Sequence, residues 1–273
     1  MATNCLNMLQ SALPTLNILN KPYQPSHATS STSKLVLPRT FQRQSMATVA
    51  NTNQFHPILQ SAPYTPRTLS TCFLRIDRGA DVVFSSALVL VGQLNVALEA
   101  VLAANNINIL DLEMKSEATC GNGGFDIAWG RRVGSVFKPI MILEYKRPHT
   151  VWLDDWLPAI ITHVNTAGNL VLQSRESGMP NVERNAARHL AQLSKYAMSG
   201  CQMFLLFDGR GMVALNFATR PVPNGEPNGK RYDYIQSPAG IDFAGTIAGG
   251  QNDNYRYLAY SCLLAAVRDS FGF

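Results

Sequence analysis

The first 76 residues contain no aspartate or glutamate, against six lysines and arginines. The same stretch is rich in Ser, Thr, Asn, Gln and Pro, and its apolar residues follow neither the period of a strand nor that of a helix. Such a segment buries too little apolar surface to offset the entropy lost on ordering it. We therefore expect residues 1–75 to form a disordered basic tail, and residues 76–273 to form the folded domain.

The basic character of the chain belongs to this tail. The net charge is +5, but residues 77–273 hold 17 basic and 18 acidic side chains. A domain this close to neutrality can bind nucleic acid only through a local cluster of basic residues. The five cysteines are widely spaced and odd in number, which favours a reducing compartment over a disulfide framework.

The longest apolar stretch, residues 82–104, contains Gln93, Asn95 and Glu99. Polar groups of this kind are costly inside a bilayer, so a helix buried in the protein fits better than a membrane span. We expect an intracellular protein of the nucleus or cytosol, with no membrane partner. The acid-free start leaves import into the mitochondrion open.

The apolar pattern predicts alternating helices and strands. The predicted helices are 86–105, 180–199 and 255–270, and the predicted strands are 107–114, 125–129, 138–146, 203–207 and 213–217. The order helix, three strands, helix, two strands, helix is typical of an α/β domain with a mixed central sheet flanked by helices.

Three charged residues on two neighbouring predicted strands are candidates for chemistry. Asp126 follows two glycines on the first strand, and Glu144 and Lys146 end the second, two residues apart and so on one face. A hairpin joining these strands would bring Asp126 beside Glu144. Two converging carboxylates form a hard-oxygen site for Mg²⁺ or Mn²⁺, and a nearby ammonium can stabilise charge developing on a phosphate. The pattern predicts a metal-dependent site that acts on phosphodiesters.

A polar ridge is predicted on helix 180–199, where Arg188, Gln192 and Tyr196 are spaced by four residues. This ridge would lie beside an apolar stripe and border the site. The alternative is that all these groups are solvated surface, since an exposed Glu–Lys pair contributes only about 0–1 kcal/mol.

Three short motifs resemble those of the PD-(D/E)XK nuclease superfamily, in particular its RecB-like branch. They occur in the order Gly124-Phe125-Asp126, Glu144-Tyr145-Lys146 and Gln192-x-x-x-Tyr196. The resemblance covers roughly residues 86–217, about half of the chain. It implies a restriction-endonuclease-like fold.

The resemblance also implies roles for these residues. Asp126 and Glu144 would bind the metal, and Lys146 would assist the nucleophile. Gln192 and Tyr196 would brace the site or contact substrate. A helix-borne glutamate often completes the metal site in this family. Glu99 on the first helix is the candidate, and Glu117, placed in a glycine-rich loop, competes with it.

Basic side chains near the predicted site suit a phosphate backbone, which such contacts position without reading sequence. Arg131 and Arg132 fall in the predicted hairpin turn, residues 131–135, and Arg147 directly follows Lys146. Solvated turn residues remain the alternative. The residues predicted to contact DNA are Arg131, Arg132, Lys138, Arg147 and Arg188.

Together these features predict a Mg²⁺- or Mn²⁺-dependent nuclease that hydrolyses phosphodiester bonds of DNA, as an endonuclease or exonuclease. The alternative from another functional class is a nuclease-fold module that has lost turnover and binds nucleic acid or a protein partner as an effector. The approach of Glu99 to Asp126 and Glu144 separates the two, because without it the site has two carboxylates at most.

Overall fold

The elements below come from a computed structural model. It describes residues 3–13, 17–18, 41–43, 52–65, 75–76, 82–83, 86–120, 123–152, 155–156, 160–164, 170–172, 184–197, 200–216, 241–243 and 255–273. The helices are α1 (Cys5–Gln10), α2 (His56–Ser61), α3 (Gly92–Ala104), α4 (Arg184–Ala197) and α5 (Tyr255–Phe271). A π-helical turn, Ala87–Val91, leads into α3, and 3₁₀ turns lie at Thr52–Phe55 and Ile109–Asp111. The strands are β1 (Thr3–Asn4), β2 (Asn17–Ile18), β3 (Phe41–Arg43), β4 (Pro63–Tyr64), β5 (Arg75–Ile76), β6 (Leu112–Cys120), β7 (Gly123–Val133), β8 (Val136–Tyr145), β9 (Ile160–Val164), β10 (Leu170–Leu172), β11 (Met203–Phe207), β12 (Met212–Asn216) and β13 (Ile241–Phe243).

A mixed sheet forms the centre of the molecule, with strand order β10-β9-β3-β13-β12-β11-β8-β7-β6. Strands β6, β7 and β8 form an antiparallel meander. Strand β8 then pairs in parallel with β11, which pairs antiparallel with β12. Parallel neighbours need a crossover connection, and the chain between β8 and β11 contains α4. The predicted α/β class with a mixed, helix-flanked sheet is therefore confirmed.

Most predicted elements occur, with shifted ends. Strand β11 has the predicted bounds, and β8, β12 and α5 differ from prediction by one or two residues at their ends. Strand β6 begins five residues later and ends six residues later than predicted, so it includes Glu117 instead of leaving it in a loop. Strand β7 is longer than predicted, so Arg131 and Arg132 lie on it and the turn follows at Gly134, whose φ of 62° suits glycine.

The two faces of the sheet pack against different helices. Alternate residues of β8, such as Met141 and Leu143, belong to the larger core, together with apolar residues of α1, α2, α3 and α5. We call this the four-helix face. Ile142 belongs to the second core, which includes Leu190 and Leu193 of α4. We call this the α4 face. The alternation of β8 therefore directs Glu144 and Lys146 towards α4.

The expectation of a disordered tail over residues 1–75 is wrong for two of its described stretches. Helix α1 buries Leu6 and Leu9, and α2 buries Leu59, all within the core of the four-helix face. The guanidinium of Arg256 on α5 donates to backbone carbonyls at the end of α1, those of Ser11 at 3.1 Å and Ala12 at 2.9 Å. Helices of six residues make fewer than two turns, so their apolar residues cannot show a periodic pattern in sequence.

Within the part of the chain that the structure describes, no helix combines the length and the apolar character that crossing a bilayer requires.

Candidate active site

The end of β8 carries the charged pair predicted from sequence. Lys146 Nζ donates to Glu144 Oε1 at 2.9 Å, so the two side chains share a face. The Glu144 residue is 5% exposed and the Lys146 side chain 11% exposed. The backbone N–H of Lys146 donates to the carbonyl of Phe207, which extends the pairing of β8 with β11 past Tyr145. The interpretation of this pair as solvated surface is therefore wrong.

Asp126 lies on β7 where the strand departs from regular geometry. Phe125 packs in the core of the α4 face, whereas Ile127 packs in that of the four-helix face. Residues two apart on a regular strand share a face, so the alternation is broken at Asp126. The register between β7 and β8 runs from Val133 opposite Val136 to Ile127 opposite Leu143, just short of Asp126.

Beyond the last backbone pair of β7 and β8, the carboxylate of Asp126 accepts a hydrogen bond from the β8 backbone. The backbone N–H of Tyr145 donates to Asp126 Oδ2 at 2.6 Å. The negative charge of Asp126 also contributes to the raised pKa values of Glu144 and Tyr196. The hairpin thus brings Asp126 beside Glu144, as its predicted position required.

Helix α4 supplies an amide that joins the site together. Gln192 Oε1 accepts from Lys146 Nζ at 2.7 Å, and Gln192 Nε2 donates to Glu144 Oε1 at 2.5 Å and to the hydroxyl of Tyr196 at 2.9 Å. Gln192 therefore holds both members of the ion pair while the buried Tyr196 fixes its amide. The structure brings together these four residues and Asp126.

Burial dominates the electrostatics of this cluster. It raises the pKa of Glu144, the Lys146 ammonium opposes that change, and the Asp126 charge adds to it. Burial also raises the pKa of the Tyr196 hydroxyl, and the charge of Glu144 raises it further. The cluster is a desolvated polar site in which charge interactions are stronger than at an exposed surface.

One carboxylate oxygen of the cluster could serve as a metal ligand. Glu144 Oε2 is buried and has no hydrogen-bond partner among the described residues. Buried polar atoms in folded proteins are nearly always paired, and a carboxylate oxygen is a ligand that Mg²⁺ and Mn²⁺ prefer. Glu144 and Asp126 are therefore the two residues of the cluster that could hold a divalent cation.

Glu99 does not complete this site, and the expectation that it would is wrong. The residue is exposed on α3. No three His, Cys, Asp or Glu residues come together as a possible metal site in the described part of the chain. Periodicity places Glu99 on a helix, but the packing of α3 against the four-helix face directs it to solvent. The side chain of Glu117 lies outside the described residues.

The predicted DNA contacts divide into two groups. Arg131 donates to the carbonyl of Ser270 at 2.5 Å and lies over the ring of Phe271, so it caps the end of α5. Arg132 is paired with Glu113 on β6. Both lie at the turn end of the β7–β8 hairpin, away from the site.

The remaining predicted contacts lie at different distances from the site. Lys138 is exposed but six residues along β8 from Glu144, about 20 Å at the rise of a strand. Arg147, directly after Lys146, and Arg188 on α4 are exposed and next to the site. Of the five predicted DNA contacts, the structure keeps these two near Glu144.

The polar ridge on α4 differs from the predicted one. Arg188 is exposed, whereas Asn185, His189 and Tyr196 are buried. Asn185 and His189 were missed by the sequence reasoning. Counted from Asn185, His189 lies four residues away, Gln192 seven and Tyr196 eleven. This heptad-like spacing is the signal that could have found them, because a repeated four-residue step drifts around the helix.

A buried carboxylate, also missed, holds the segment that follows β8. Asp208 Oδ2 accepts the backbone N–H groups of Thr150 and Val151, each at 3.0 Å. Asp208 Oδ1 accepts those of Arg210 at 2.9 Å and Gly211 at 2.7 Å. These four bonds tie the chain just beyond the site to the β11–β12 turn.

No family model matches this chain, and no curated protein or solved structure is significantly similar to it. The resemblance to PD-(D/E)XK nucleases therefore stays a prediction from three short motifs.

Proposed function

We propose that this protein is a Mg²⁺- or Mn²⁺-dependent nuclease of the PD-(D/E)XK type, hydrolysing phosphodiester bonds of DNA. The observation that carries the proposal is the buried, hydrogen-bonded cluster of Glu144, Lys146, Gln192 and Tyr196 beside Asp126. These residue types meet at the end of a central strand, where the motif resemblance would put a catalytic site.

Energetics support a functional interpretation of this cluster over a structural one. A buried ion pair commonly only breaks even against apolar side chains of the same size. The unpaired Glu144 Oε2 adds a desolvation penalty of about 1–3 kcal/mol. A purely structural cluster would leave that penalty uncompensated, whereas a cation at Oε2 removes it.

Each residue has a chemical role in this proposal. Asp126 and Glu144, through Oε2, would hold the cation, which when bound polarises the phosphate and lowers the pKa of a water. The ammonium of Lys146 lies beside the Glu144 carboxylate and would stabilise negative charge on the phosphate as the phosphodiester bond breaks. Gln192 and Tyr196 fix the direction of both side chains through the bonds described above.

Two exposed arginines support a DNA substrate. Arg147 directly follows Lys146, and Arg188 lies on α4 one turn before Gln192. Contacts of this kind neutralise backbone phosphates and position a duplex or a single strand. Arg131 and Arg132, with their partners on α5 and β6, serve the fold in this proposal.

The arrangement of elements supports a restriction-endonuclease-like core. A meander of β6, β7 and β8, a crossover containing α4 and the parallel strand β11 follow one another in the chain, with the charged motifs on β7, β8 and α4. This order agrees with what the motif resemblance implies.

A second candidate function is a nuclease-fold module that binds nucleic acid without cleaving it. The observation in its favour is that only two carboxylates, Asp126 and Glu144, come together among the described residues. A site with fewer protein ligands binds a divalent cation more weakly, which would reduce turnover before it reduced DNA binding.

Cleavage assays on plasmid and single-stranded DNA, with and without Mg²⁺ or Mn²⁺, test the proposal. We expect Glu144→Ala and Lys146→Ala each to abolish metal-dependent cleavage while circular dichroism and thermal unfolding show an intact fold. Glu99→Ala is the matched control, because it removes an exposed glutamate on α3 and should cleave like the wild type.

The outcomes separate the two candidates. Equal cleavage by the wild type, Glu144→Ala and Lys146→Ala would indicate a contaminant and defeat the nuclease proposal. DNA binding in a gel-shift assay without cleavage under any metal condition would establish the binding module instead.

A further inference from the structure

His189 is a buried imidazole that the roles above do not use. It is 0% exposed on α4, and neither ring nitrogen has a hydrogen-bond partner in the part of the chain that the structure describes. Folded proteins rarely leave a buried donor and acceptor both unpaired. The side chain therefore has hydrogen-bonding capacity that the observed arrangement leaves unused.

The position of His189 connects it to the candidate site. It precedes Gln192 by three residues and Tyr196 by seven, so all three lie on one face of α4. Burial lowers the pKa of His189 to about 3, and the positive charges of Lys146 and Arg188 lower it further. The imidazole is thus neutral and near the Lys146 ammonium, with one ring nitrogen able to accept a hydrogen bond.

Lys146 has a matching unused group. Its ammonium carries three protons, and two of them go to Glu144 Oε1 and Gln192 Oε1. Among the described residues the third proton has no hydrogen-bond acceptor, and the side chain is only 11% exposed. Gln192, one helical turn after His189, already accepts from Lys146 Nζ at 2.7 Å, so the neutral acceptor lies on the stretch of α4 that the ammonium reaches.

Cation binding would change the hydrogen bonding and the electrostatic surroundings of Lys146. An ion at Glu144 Oε2 draws charge from the carboxylate, which makes Oε1 a weaker acceptor, and it repels the ammonium. Lys146 would then be stabilised by an uncharged acceptor on its α4 side. On α4, His189 is a neutral group whose ring nitrogens have no partner among the described residues.

We propose that His189 is a positioning residue for Lys146, accepting its hydrogen bond when a divalent cation occupies Glu144. The inference rests on the proposed metal site and adds a residue to it. By accepting this bond, His189 would hold the Lys146 ammonium on its α4 side and so reduce its repulsion of the cation. The metal affinity of the protein therefore depends on an imidazole that does not touch the metal.

Two substitutions separate this role from packing. His189→Leu keeps a similar volume and removes the acceptor, whereas His189→Gln keeps an acceptor in place. Since the ring nitrogens are unpaired, His189→Leu should leave the thermal unfolding temperature of the metal-free protein unchanged or raise it. A structural role would instead lower that temperature.

Titration of the purified full chain with MnCl₂ and MgCl₂ in a calorimeter measures the effect. We expect His189→Leu to weaken metal binding about 10-fold or more, the range found for residues that orient metal ligands. His189→Gln should bind within about threefold of the wild type, showing rescue by an acceptor.

A double-mutant cycle with Lys146→Met distinguishes positioning from direct metal ligation. Without the ammonium there is nothing for His189 to accept, so His189→Leu should have no further effect in the Lys146→Met background. If His189 bound the metal itself, the loss of affinity would persist in that background and the proposal would be overturned.

Other outcomes are equally decisive. Equal metal affinity in the wild type and His189→Leu overturns the positioning role and leaves the nuclease proposal standing. Failure of the wild type to bind either ion overturns the metal site and, with it, the role of His189.

Discussion

The two carboxylate oxygens of Glu144 are in different surroundings. Oε1 accepts hydrogen bonds from Lys146 and Gln192, while Oε2 is buried without a partner in the described chain. The first arrangement stabilises the charged form of Glu144 and the second opposes it, with burial as the larger influence. At the scale of single residues, burial therefore penalises the charged form of Glu144.

This burial penalty on the Glu144 carboxylate predicts a pH dependence of stability in metal-free protein. Because the folded-state pKa of Glu144 is raised above its ordinary value of 4.5, the unfolded chain loses this proton first as the pH rises. The wild type should then lose stability with rising pH, from about 4.5 until the pH passes the folded pKa. Glu144→Gln has no proton to lose at this position and should escape that loss.

Thermal unfolding in EDTA between pH 4.5 and 8 measures this difference. The unfolding temperature of Glu144→Gln relative to the wild type should rise with pH, and added Mg²⁺ should stabilise only the wild type. A difference that stays constant over this range would mean that Glu144 is not perturbed by its surroundings.

At the scale of elements, the β7–β8 hairpin and α4 determine where the site forms. The register of the hairpin shifts between Trp129 and Gly130, and the strands stop pairing just before Asp126. A Cβ at Gly130 would lie 2.4 Å from the carbonyl oxygen of Lys138 and 2.6 Å from the ring of Phe137. Glycine at this position therefore allows the close approach that sets the register, and with it the position of Asp126.

Two glycine-to-alanine substitutions test this with opposite expected signs. Gly130→Ala should lower the free energy of unfolding by about 1–3 kcal/mol, because the new methyl group overlaps backbone and ring atoms. Gly92→Ala, in α3, has 3.8 Å to its nearest neighbour and should raise it by about 0.5–1 kcal/mol through helix propensity. Urea unfolding of both variants gives the two values, and a neutral Gly130→Ala would show that the hairpin tolerates another register.

At the scale of the whole molecule, the N-terminal residues and α5 complete one core. Helix α5 is buried on all sides from Tyr255 to Val267, as expected for a helix at the centre of a fold. Arg256, itself buried, binds carbonyls from the end of α1 and from Val89 in the π-helical turn. Residues more than 240 positions apart therefore stabilise the face of the sheet opposite the candidate site.

Substitutions within α1 test whether this segment belongs to the fold. Leu9→Ala should lower the free energy of unfolding by about 2–5 kcal/mol, since the side chain is fully buried. Gln10→Ala, at the adjacent exposed position, should leave it almost unchanged. Chemical denaturation compares the two variants. If neither changes the free energy of unfolding, α1 does not belong to the folded domain.

The sequence alone determined the features that depend on near neighbours in the chain. Apolar runs of the right length predicted β8 and β11, helical periodicity predicted α3 and α4, and strand alternation put Glu144 and Lys146 on one face. These patterns are local because a strand or helix repeats its geometry within a few residues. The proximity of Asp126 to Glu144 was also predictable, since a hairpin joins consecutive strands.

Tertiary structure decided what depends on distant parts of the chain. The packing of α3 turned Glu99 to solvent, and the end of α5 bound Arg131. Short helices such as α1 are stabilised by burying their apolar side chains in a core formed by distant parts of the chain. No local pattern records such contacts, because their free energy comes from burial against residues far away in sequence.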